Sequence, residues 1–220
     1  MASSILTPFQ KKVFDVFSHF SGNFSNFYLT GGTALSDFYL HHRYSEDFDF
    51  FCESEFSAVS VKTYIRKLRE HIPEISGVEY RLVFELHTCL LTHPDGILKV
   101  DFNYYPFPRI ERGKKYGKLS IDSLLDIAVN KMQTIATKPR SRDFIDLYLI
   151  HKTQGWSMDY LVKKARIKFD WYVDPLHLAS RYLLAGQLKD YPRMLIDLQE
   201  KEWQEFFLAE AQKLKPAILQ

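Results

Sequence analysis

The stretch that decides the fold is residues 28–51, YLTGGTALSDFYLHHRYSEDFDFF. Gly31 and Gly32 separate a short apolar run from a run with helical spacing, which predicts a strand, a tight turn and a helix. Further along, Asp47 and Asp49 stand one residue apart among phenylalanines. Carboxylates in so apolar a setting are costly unless something pairs with them. The stretch therefore raises the question of what these two carboxylates bind.

Strand geometry offers a divalent metal as the answer. Residues i and i+2 of a strand point to the same face, so Asp47 and Asp49 are expected to project together. Two carboxylates that close repel each other unless cations neutralise them, and magnesium accepts such oxygen ligands. A third carboxylate, Asp101, lies in the strand-like segment 97–105, ILKVDFNYY. If the two strands are neighbours, the three acids can hold two Mg²⁺ or Mn²⁺ ions about 4 Å apart, which suits in-line displacement at phosphorus.

The two glycines point to a phosphate beside these acids. Gly31 and Gly32 let the main chain approach a ligand closely, and a helix N-terminus at Thr33 offers free N–H groups to a phosphate. Taken alone, the glycine pair is equally compatible with an ordinary turn, and an isolated Asp-x-Asp pair is most often solvated. The combination of strand, Gly-Gly-Thr, helix, Asp-Phe-Asp strand and Lys-Val-Asp strand favours a binding site.

Composition narrows the class of protein. The 220 residues are 46% hydrophobic with a formal net charge of +2, which indicates a globular chain without the strong overall charge of a dedicated nucleic-acid binder. Cys52 and Cys89 lack CxxC spacing, which predicts free thiols in a reducing compartment. The start of the chain has no long apolar region, and no run approaches the ~20 apolar residues of a membrane helix. We therefore expect a cytoplasmic protein.

The periodicity predicts an α+β fold whose two halves differ in character. Residues 1–118 alternate helix and strand patterns, with strands expected at 27–29, 48–52, 78–84, 86–91 and 97–105 and helices at 7–20, 33–40 and 57–71. Residues 119–220 carry helical spacing only, with helices expected at 121–135, 142–151, 175–186 and 203–214. The prediction is a mixed sheet with flanking helices, followed by an all-helical half.

Three segments, GGTALS, HHRYSEDFDFF and RDFIDLY, resemble the AbiEii/AbiGii-type nucleotidyltransferase toxins of the DNA polymerase β-like nucleotidyltransferase superfamily. The resemblance spans about residues 25–150. It implies a nucleotidyltransferase-type fold, metal-dependent use of an NTP, and a toxin role in a toxin–antitoxin or phage-defence pair with a cognate antitoxin. Residues 119–220 are then expected to complete the nucleotide cleft.

The resemblance also implies roles for the residues of the first half. Gly32 and Thr33, which follow Gly31, match the phosphate-contacting Gly-Ser of the superfamily's first motif. Asp47 and Asp49 match its metal-binding acids. Asp101 matches the third acid, which completes the metal site and helps to orient or deprotonate the acceptor hydroxyl.

In the second half, the resemblance assigns Lys131 to the lysine of the third motif, where it would place a charge on the NTP phosphates. Asp143 and Asp146 match the acidic fourth motif of the toxins. Each has a structural alternative from the sequence alone. Lys131 lies at the edge of an apolar stripe and is compatible with a solvated surface lysine. Asp143 at a helix start is compatible with capping, and Asp146 with an ion pair to Arg142.

The residues around the acids have weaker assignments. Arg43 and Ser45 are candidates for shaping the loop or touching phosphate, with a solvated loop as the alternative. His41 and His42 lack a third ligand at a recognisable spacing and are interpreted as loop residues. The basic run between 109 and 118 is either solvated or a contact for an RNA backbone.

These patterns predict a magnesium-dependent enzyme that moves an NMP from an NTP to an acceptor. The toxin resemblance favours RNA as the acceptor, with the tRNA 3′ end as the specific hypothesis. Two alternatives stay open from the sequence: a small-molecule nucleotidyltransferase of the antibiotic-modifying type, and a degenerate domain that binds nucleotide without catalysis.

Overall fold

The computed structural model describes residues 4–20 and 22–218. The chain forms two compact units, the first ending at Leu124 and the second beginning at Leu125. The first unit therefore includes the segment Leu119–Ile121, which lies beyond the predicted boundary at residue 118. Within the described residues, no helix is long and apolar enough to cross a membrane.

The first unit is built on a seven-stranded mixed sheet, which confirms the predicted fold class. Its strands are β1 (Phe27–Thr30), β2 (Phe48–Cys52), β3 (Gly77–Val83), β4 (Leu86–His93), β5 (Gly96–Tyr104), β6 (Lys115–Tyr116) and β7 (Leu119–Ile121), in the spatial order β3-β4-β5-β2-β1-β7-β6. The pairs β2–β5 and β1–β7 are parallel, whereas the other neighbouring strands are antiparallel. The chain thus places β2 between β1 and β5, at the centre of the sheet.

The helices of the first unit begin where local capping chemistry directs. Helix α1 (Pro8–His19) has Thr7 as N-cap with a reciprocal hydrogen bond to Gln10, and α3 (Ala58–His71) is capped by the Ser57 hydroxyl. Both ends of α3 match the sequence prediction. Helix α2 (Gly31–Leu35) begins two residues before the predicted start and continues as a single π-helical turn, 36–40.

Phenylalanines form the core on one face of this sheet. Phe48, Phe50 and Phe102 are fully buried. The ring of Phe48 packs against Phe14, and the stacked rings of Phe50 and Phe102 both pack against Phe17. Burying each such side chain stabilises the fold by roughly 1.5–3 kcal/mol relative to leaving it exposed. Because successive side chains of a strand alternate between faces, the residues between these phenylalanines are directed to the opposite face.

One predicted helix start is wrong. Ile121 was expected in the apolar stripe of the following helix, but it lies in β7, which pairs with β1 through Tyr28↔Ser120 and Leu29↔Ile121. The helix, α4, begins at Leu124. A three-residue strand is fixed by its pairing partner, and apolar spacing over so few residues does not distinguish it from a helical turn.

In the second unit, the regular elements of the described residues 125–218 are helices. They are the body of α4 (Leu124–Thr137), then α5 (Ser141–Gln154), α6 (Met158–Phe169), α7 (Pro175–Leu183), α8 (Glu200–Lys213) and the short α9 (Lys215–Ile218). Helix α7 begins at the predicted residue, Pro175, with the Asp174 side chain as its N-cap. Helix α6 was not predicted, although its buried residues Met158, Leu161, Ala165 and Phe169 have helical spacing.

Candidate active site

The strand register brings the predicted acids of the first unit together. In the parallel pair β2–β5, Asp49 lies directly opposite Asp101, so the expectation that these strands are neighbours is confirmed. Thr30 of β1 lies opposite Asp49, and Thr88 of β4 lies opposite Asp101. Asp47 immediately precedes β2. A row of polar side chains therefore crosses four adjacent strands, on the face opposite the phenylalanine core.

Lys99 is the cation that meets two of these acids. Its Nζ lies 2.6 Å from Asp101 Oδ2 and 3.5 Å from Asp47 Oδ2. Asp101 is 5% exposed and also accepts a 2.6 Å hydrogen bond from the Thr88 hydroxyl. Burial acts to lower the pKa of Lys99, but the hydrogen bond to Asp101 and the charges of Asp101, Asp47 and Asp49 together raise it above its usual value. The ammonium is therefore held in its charged form.

The acids supply the donor set that a hard divalent cation requires. Carboxylate oxygens of Asp47 and Asp101 already approach one positive charge, and Asp49 is the strand partner of Asp101. Among the residues that the structure describes, no three acidic, histidine or cysteine side chains form a preformed metal site. The chemistry of the donors fits magnesium or manganese, whereas the geometry shown is an ion pair with Lys99.

The two glycines are required by the space around them. Gly31 has a φ of +70°, and a Cβ placed on it would lie 2.5 Å from Asp49 Oδ2. A Cβ on Gly32 would lie 2.6 Å from Arg43 Nη2 and 3.0 Å from Ser45 Oγ. Both positions therefore admit no larger residue without moving the charged groups of the site. The glycines place the main chain against Asp49 and Arg43.

Thr33 and Ser45 hold the segment that carries Asp47. The fully buried Thr33 hydroxyl donates to the main-chain carbonyl of Asp47 and is hydrogen-bonded to the Ser45 hydroxyl at 2.8 Å. Arg43 is 2% exposed and donates to the carbonyl of Tyr44, so the solvated-loop alternative for Arg43 is wrong. These contacts show how the first glycine segment and the first acid are fixed to each other.

Sequence reasoning missed several polar residues of this region. Thr30 donates a 2.6 Å hydrogen bond to Asp122 Oδ2, and both side chains are buried. Thr88 and Lys99 contact Asp101 directly. The Lys-Val-Asp spacing places Lys99 and Asp101 on one strand face and contained the signal for their pairing. Nothing in the local sequence indicates Thr88, because its contact depends on the register of β4 against β5.

The basic run is partly engaged within the first unit. Arg109 bonds to Glu53 through its main-chain N–H (2.9 Å) and its side chain (3.1 Å), and its guanidinium lies 4.3 Å from the ring centre of Tyr28. Lys114 donates to the carbonyl of Phe38. These two residues are therefore structural contacts of the loop, and the prediction of an RNA contact falls to the rest of the run.

In the second unit, the structure decides against one of the two interpretations of Lys131. The lysine is 7% exposed, and its Nζ lies 3.0 Å from Asp143 Oδ1 and 2.7 Å from Asp146 Oδ2. The alternative of a solvated lysine at the edge of the stripe is therefore wrong, and Lys131 is an ion-pair partner of Asp146. Asp143 also accepts the N–H of Arg140 at 3.1 Å, which confirms its capping role. The three predicted residues meet one another inside this unit.

The cysteines match the expectation of free thiols. Cys52 and Cys89 are both buried and unpaired with each other. Burial raises the pKa of Cys89 to about 12, so its thiol stays protonated at neutral pH. Neither thiol is therefore an activated nucleophile.

The sequence was compared with protein families and with known proteins. The sequence matches the family described as "Nucleotidyl transferase AbiEii toxin, Type IV TA system" over residues 15–217. A relative, uncharacterized protein aq_aa25 of Aquifex aeolicus, is 34% identical over 149 residues, which are 66% of this chain and 67% of the relative. The family match includes the segment of the acids, residues 47–101.

Solved structures share the fold. JHP933 from Helicobacter pylori superposes with a TM-score of 0.60 at 19% identity, covering 93% of this chain and 88% of its own. An H. pylori protein provisionally described as a nucleotidyltransferase gives a TM-score of 0.60 at 20% identity, covering 96% and 94%. With a family match across residues 15–217, this chain belongs to the AbiEii family of nucleotidyltransferase toxins.

Proposed function

We propose that this nucleotidyltransferase transfers an NMP from an NTP to a hydroxyl of RNA in a reaction that depends on a divalent cation. The observation that carries the proposal is the register of β2 against β5, which places Asp49 opposite Asp101 while Asp47 and Asp101 approach a single positive charge. Acids on adjacent central strands, beside a glycine pair, form the arrangement that phosphoryl transfer requires.

The proposed ligands of the divalent cation are Asp47, Asp49 and Asp101. They would hold two Mg²⁺ ions, for which Mn²⁺ can substitute. Divalent cations at this position neutralise the negative charge that develops on the phosphoryl oxygens. Asp101 is buried and fixed by Thr88, so it can keep a constant orientation toward an acceptor hydroxyl. A base or an orienting group must be held in this way to act efficiently.

The phosphates of the NTP are proposed to lie along Gly31 and Gly32. At both positions the main chain is bare of side chain and lies close to charged groups of the site. Thr33 and Ser45 contribute by fixing this segment to Asp47. Arg43, whose guanidinium lies beside Gly32, is the proposed positive charge for the phosphates in the first unit. The nucleotide-related roles of Lys131, Asp143 and Asp146 stay predictions from the family resemblance.

RNA is proposed as the acceptor, with the tRNA 3′ end as its specific form, and a cognate antitoxin as the genetic partner. The support is membership of a toxin family and the basic residues between 109 and 118, of which Arg112, Lys115 and Lys118 are candidates for phosphate contacts. Contacts of this kind need positive charge but little sequence information.

The test is an incubation of the purified protein with each α-³²P-labelled NTP, Mg²⁺, and either total RNA or a panel of aminoglycosides. We expect label on RNA, lost on digestion from the 3′ end, and no label with Asp49→Asn. Label on an aminoglycoside would replace the RNA proposal with the small-molecule alternative. A folded protein that binds NTP but labels no acceptor would support the non-catalytic alternative.

A further inference from the structure

The Lys99 ammonium occupies a position that the proposed function gives to a divalent cation. It lies 2.6 Å from Asp101 Oδ2 and 3.5 Å from Asp47 Oδ2, on the strand face that carries the acids. The side chains of Lys99 and Asp47 are 37% and 36% exposed, whereas that of Asp101 is only 8% exposed. The ammonium therefore pairs with one buried and one accessible carboxylate.

This arrangement differs from an ordinary surface ion pair. Asp47, Asp49 and Asp101 all contribute negative charge at Lys99. A single positive charge among three carboxylates offsets part of their mutual repulsion and holds the acids near one another. Lysine is suited to this because its ammonium is a compact charge on a flexible stem, which can move without disturbing the strand.

We propose that Lys99 is an internal counter-ion that competes with divalent cations for Asp47 and Asp101. A cation that binds these oxygens must displace the ammonium, or bind beside it against its charge, so free Mg²⁺ or Mn²⁺ binds weakly. NTP phosphates remove this obstacle in two ways, since they add oxygen ligands for the cation and offer negative charge to the displaced ammonium. The inference rests on the proposed function and assigns Lys99 a positioning role within it.

The consequence is an order of binding. Lys99 would leave the two carboxylates when a cation and an NTP bind together, and would return to them once the products have left. The acids therefore keep a positive partner throughout the cycle. If Lys99 served only to stabilise the strand, removing its charge would change the affinity for the free cation and the affinity for the cation with nucleotide by the same factor.

The experiment measures Mn²⁺ binding by electron paramagnetic resonance of the free ion, first with Mn²⁺ alone and then with Mn²⁺ and α,β-methylene NTPs. Lys99→Met removes the charge but keeps most of the side-chain volume. We expect this variant to bind Mn²⁺ alone at least about tenfold more tightly than the wild type, because an opposing charge has been removed from the site. With the nucleotide analogue, the advantage of the variant should shrink or reverse.

Two variants serve as controls. Lys99→Arg keeps a positive charge at the site and is expected to bind Mn²⁺ alone as weakly as the wild type. Lys12→Met removes a lysine of the same unit from an exposed pair with Glu74, and should leave Mn²⁺ binding unchanged. If Lys99→Met does not fold, as judged by circular dichroism, Lys99→Gln replaces it with the same expectation.

The outcomes separate the two levels of the proposal. Equal or weaker binding of Mn²⁺ alone by the folded charge-removing variant would overturn the counter-ion role. If the wild type still binds Mn²⁺ with nucleotide in that case, the proposed function stands. Absence of Mn²⁺ binding by every protein, with or without nucleotide, would overturn the metal site and the counter-ion together.

Discussion

Both units of this protein hold a lysine between two aspartates, but the surroundings of the two lysines differ. In the first unit, Lys99 is 37% exposed and pairs with Asp47 and Asp101, of which Asp47 is also partly exposed. In the second unit, the side chain of Lys131 is 9% exposed on the same measure and pairs with Asp143 and Asp146, both buried. The same charges are accessible to exchange in one unit and enclosed in the other.

The difference predicts different work for the two clusters. An ion pair that meets solvent can be rearranged by an incoming cation at low cost, since water and ions screen the separated charges. A buried pair cannot be separated without leaving a charge in an apolar medium. The second unit contains another such pair, Lys168 with Asp126 at 2.7 Å, whose side chains are fully buried. Enclosure indicates that these pairs first of all specify the packing of the helices.

The largest expected effect is a loss of stability in the buried cluster, that is, Lys131 with Asp143 and Asp146. Lys131→Met leaves two buried carboxylates without their lysine, and breaking a buried pair in this way costs about 3–5 kcal/mol. Urea unfolding of the variant should show this loss. Lys163→Met, which removes an exposed partner of Asp159 from the same unit, should change stability by less than ~1 kcal/mol. Equal stability of the two variants would break the distinction between enclosed and accessible lysines.

Catalysis provides the next test of the comparison. Asp49→Asn keeps the shape of the side chain and removes one negative charge from the acids of the first unit. We expect NMP transfer to fall by about 10²–10³-fold, the loss typical when electrostatic stabilisation of a transition state is removed. The folded fraction should stay close to that of the wild type in a thermal melt. Wild-type transfer by this variant would remove the acids of the first unit from the reaction.

Two glycines with nearly the same φ, Gly22 and Gly31, test whether the position of the Asp49 carboxylate matters for transfer. Gly31 and Gly22 have φ values of +70° and +69°, but only Gly31 has an atom of another residue within reach of an added Cβ. Gly22→Ala should cost ~1–2 kcal/mol, the penalty for an L-residue in the left-handed region. Gly31→Ala should cost the same plus the displacement of the Asp49 carboxylate, and should also lower transfer.

These two glycine variants are compared by urea unfolding and by initial rates of NMP transfer. A loss of transfer in Gly31→Ala alone would assign the effect to the contact with Asp49. If both variants lose transfer equally, backbone strain rather than the position of the carboxylate is responsible.

The sequence was most informative where a residue's role depends on its neighbours in the chain. The Asp-Phe-Asp alternation and the helix start at Ser57 both act over a few residues, and the structure places them as expected. From the sequence, the adjacency of the strands that carry Asp49 and Asp101 is only a condition for the three acids to meet, and their parallel pairing is a finding of the structure. It followed from no local pattern, because pairing of distant strands depends on the whole sheet.

The failures concern burial and partners. The surface alternative for Lys131 rested on its position at the edge of the apolar stripe, yet the acids at the start of α5 enclose the lysine. The strand β7 was missed because three residues carry no periodicity of their own. The strand alternation already places Lys99 on the same face as Asp101. Its contact with Asp47, however, depends on β2 lying beside β5. In each case the deciding information is tertiary.

The smallest expected effect concerns the helix that supplies the acids of the buried cluster. Asp190 Oδ1 accepts the N–H of Ser141 at 2.9 Å, at the first residue of α5. Although burial acts to raise the pKa of Asp190 and is the largest influence, the hydrogen bonds from Ser141 and the nearby Arg140 charge together lower it. A depressed pKa means that the carboxylate contributes stability above its unfolded pKa, and that this contribution is lost as the pH falls through the folded value.

Asp190→Asn keeps a hydrogen-bond acceptor and removes only the charge at the N-terminus of α5. At pH 7 we expect a loss of less than ~1 kcal/mol, because the carboxylate is exposed and solvent screens its interaction with the helix dipole. The difference between wild type and variant should begin to shrink as the pH falls below about 4, where an unfolded aspartate takes up its proton, and disappear once the pH has passed the lower pKa of folded Asp190. Urea unfolding at several pH values measures this. A difference that persists in acid would show that the charge of Asp190 does not stabilise α5, and that the amide changes the contact in another way.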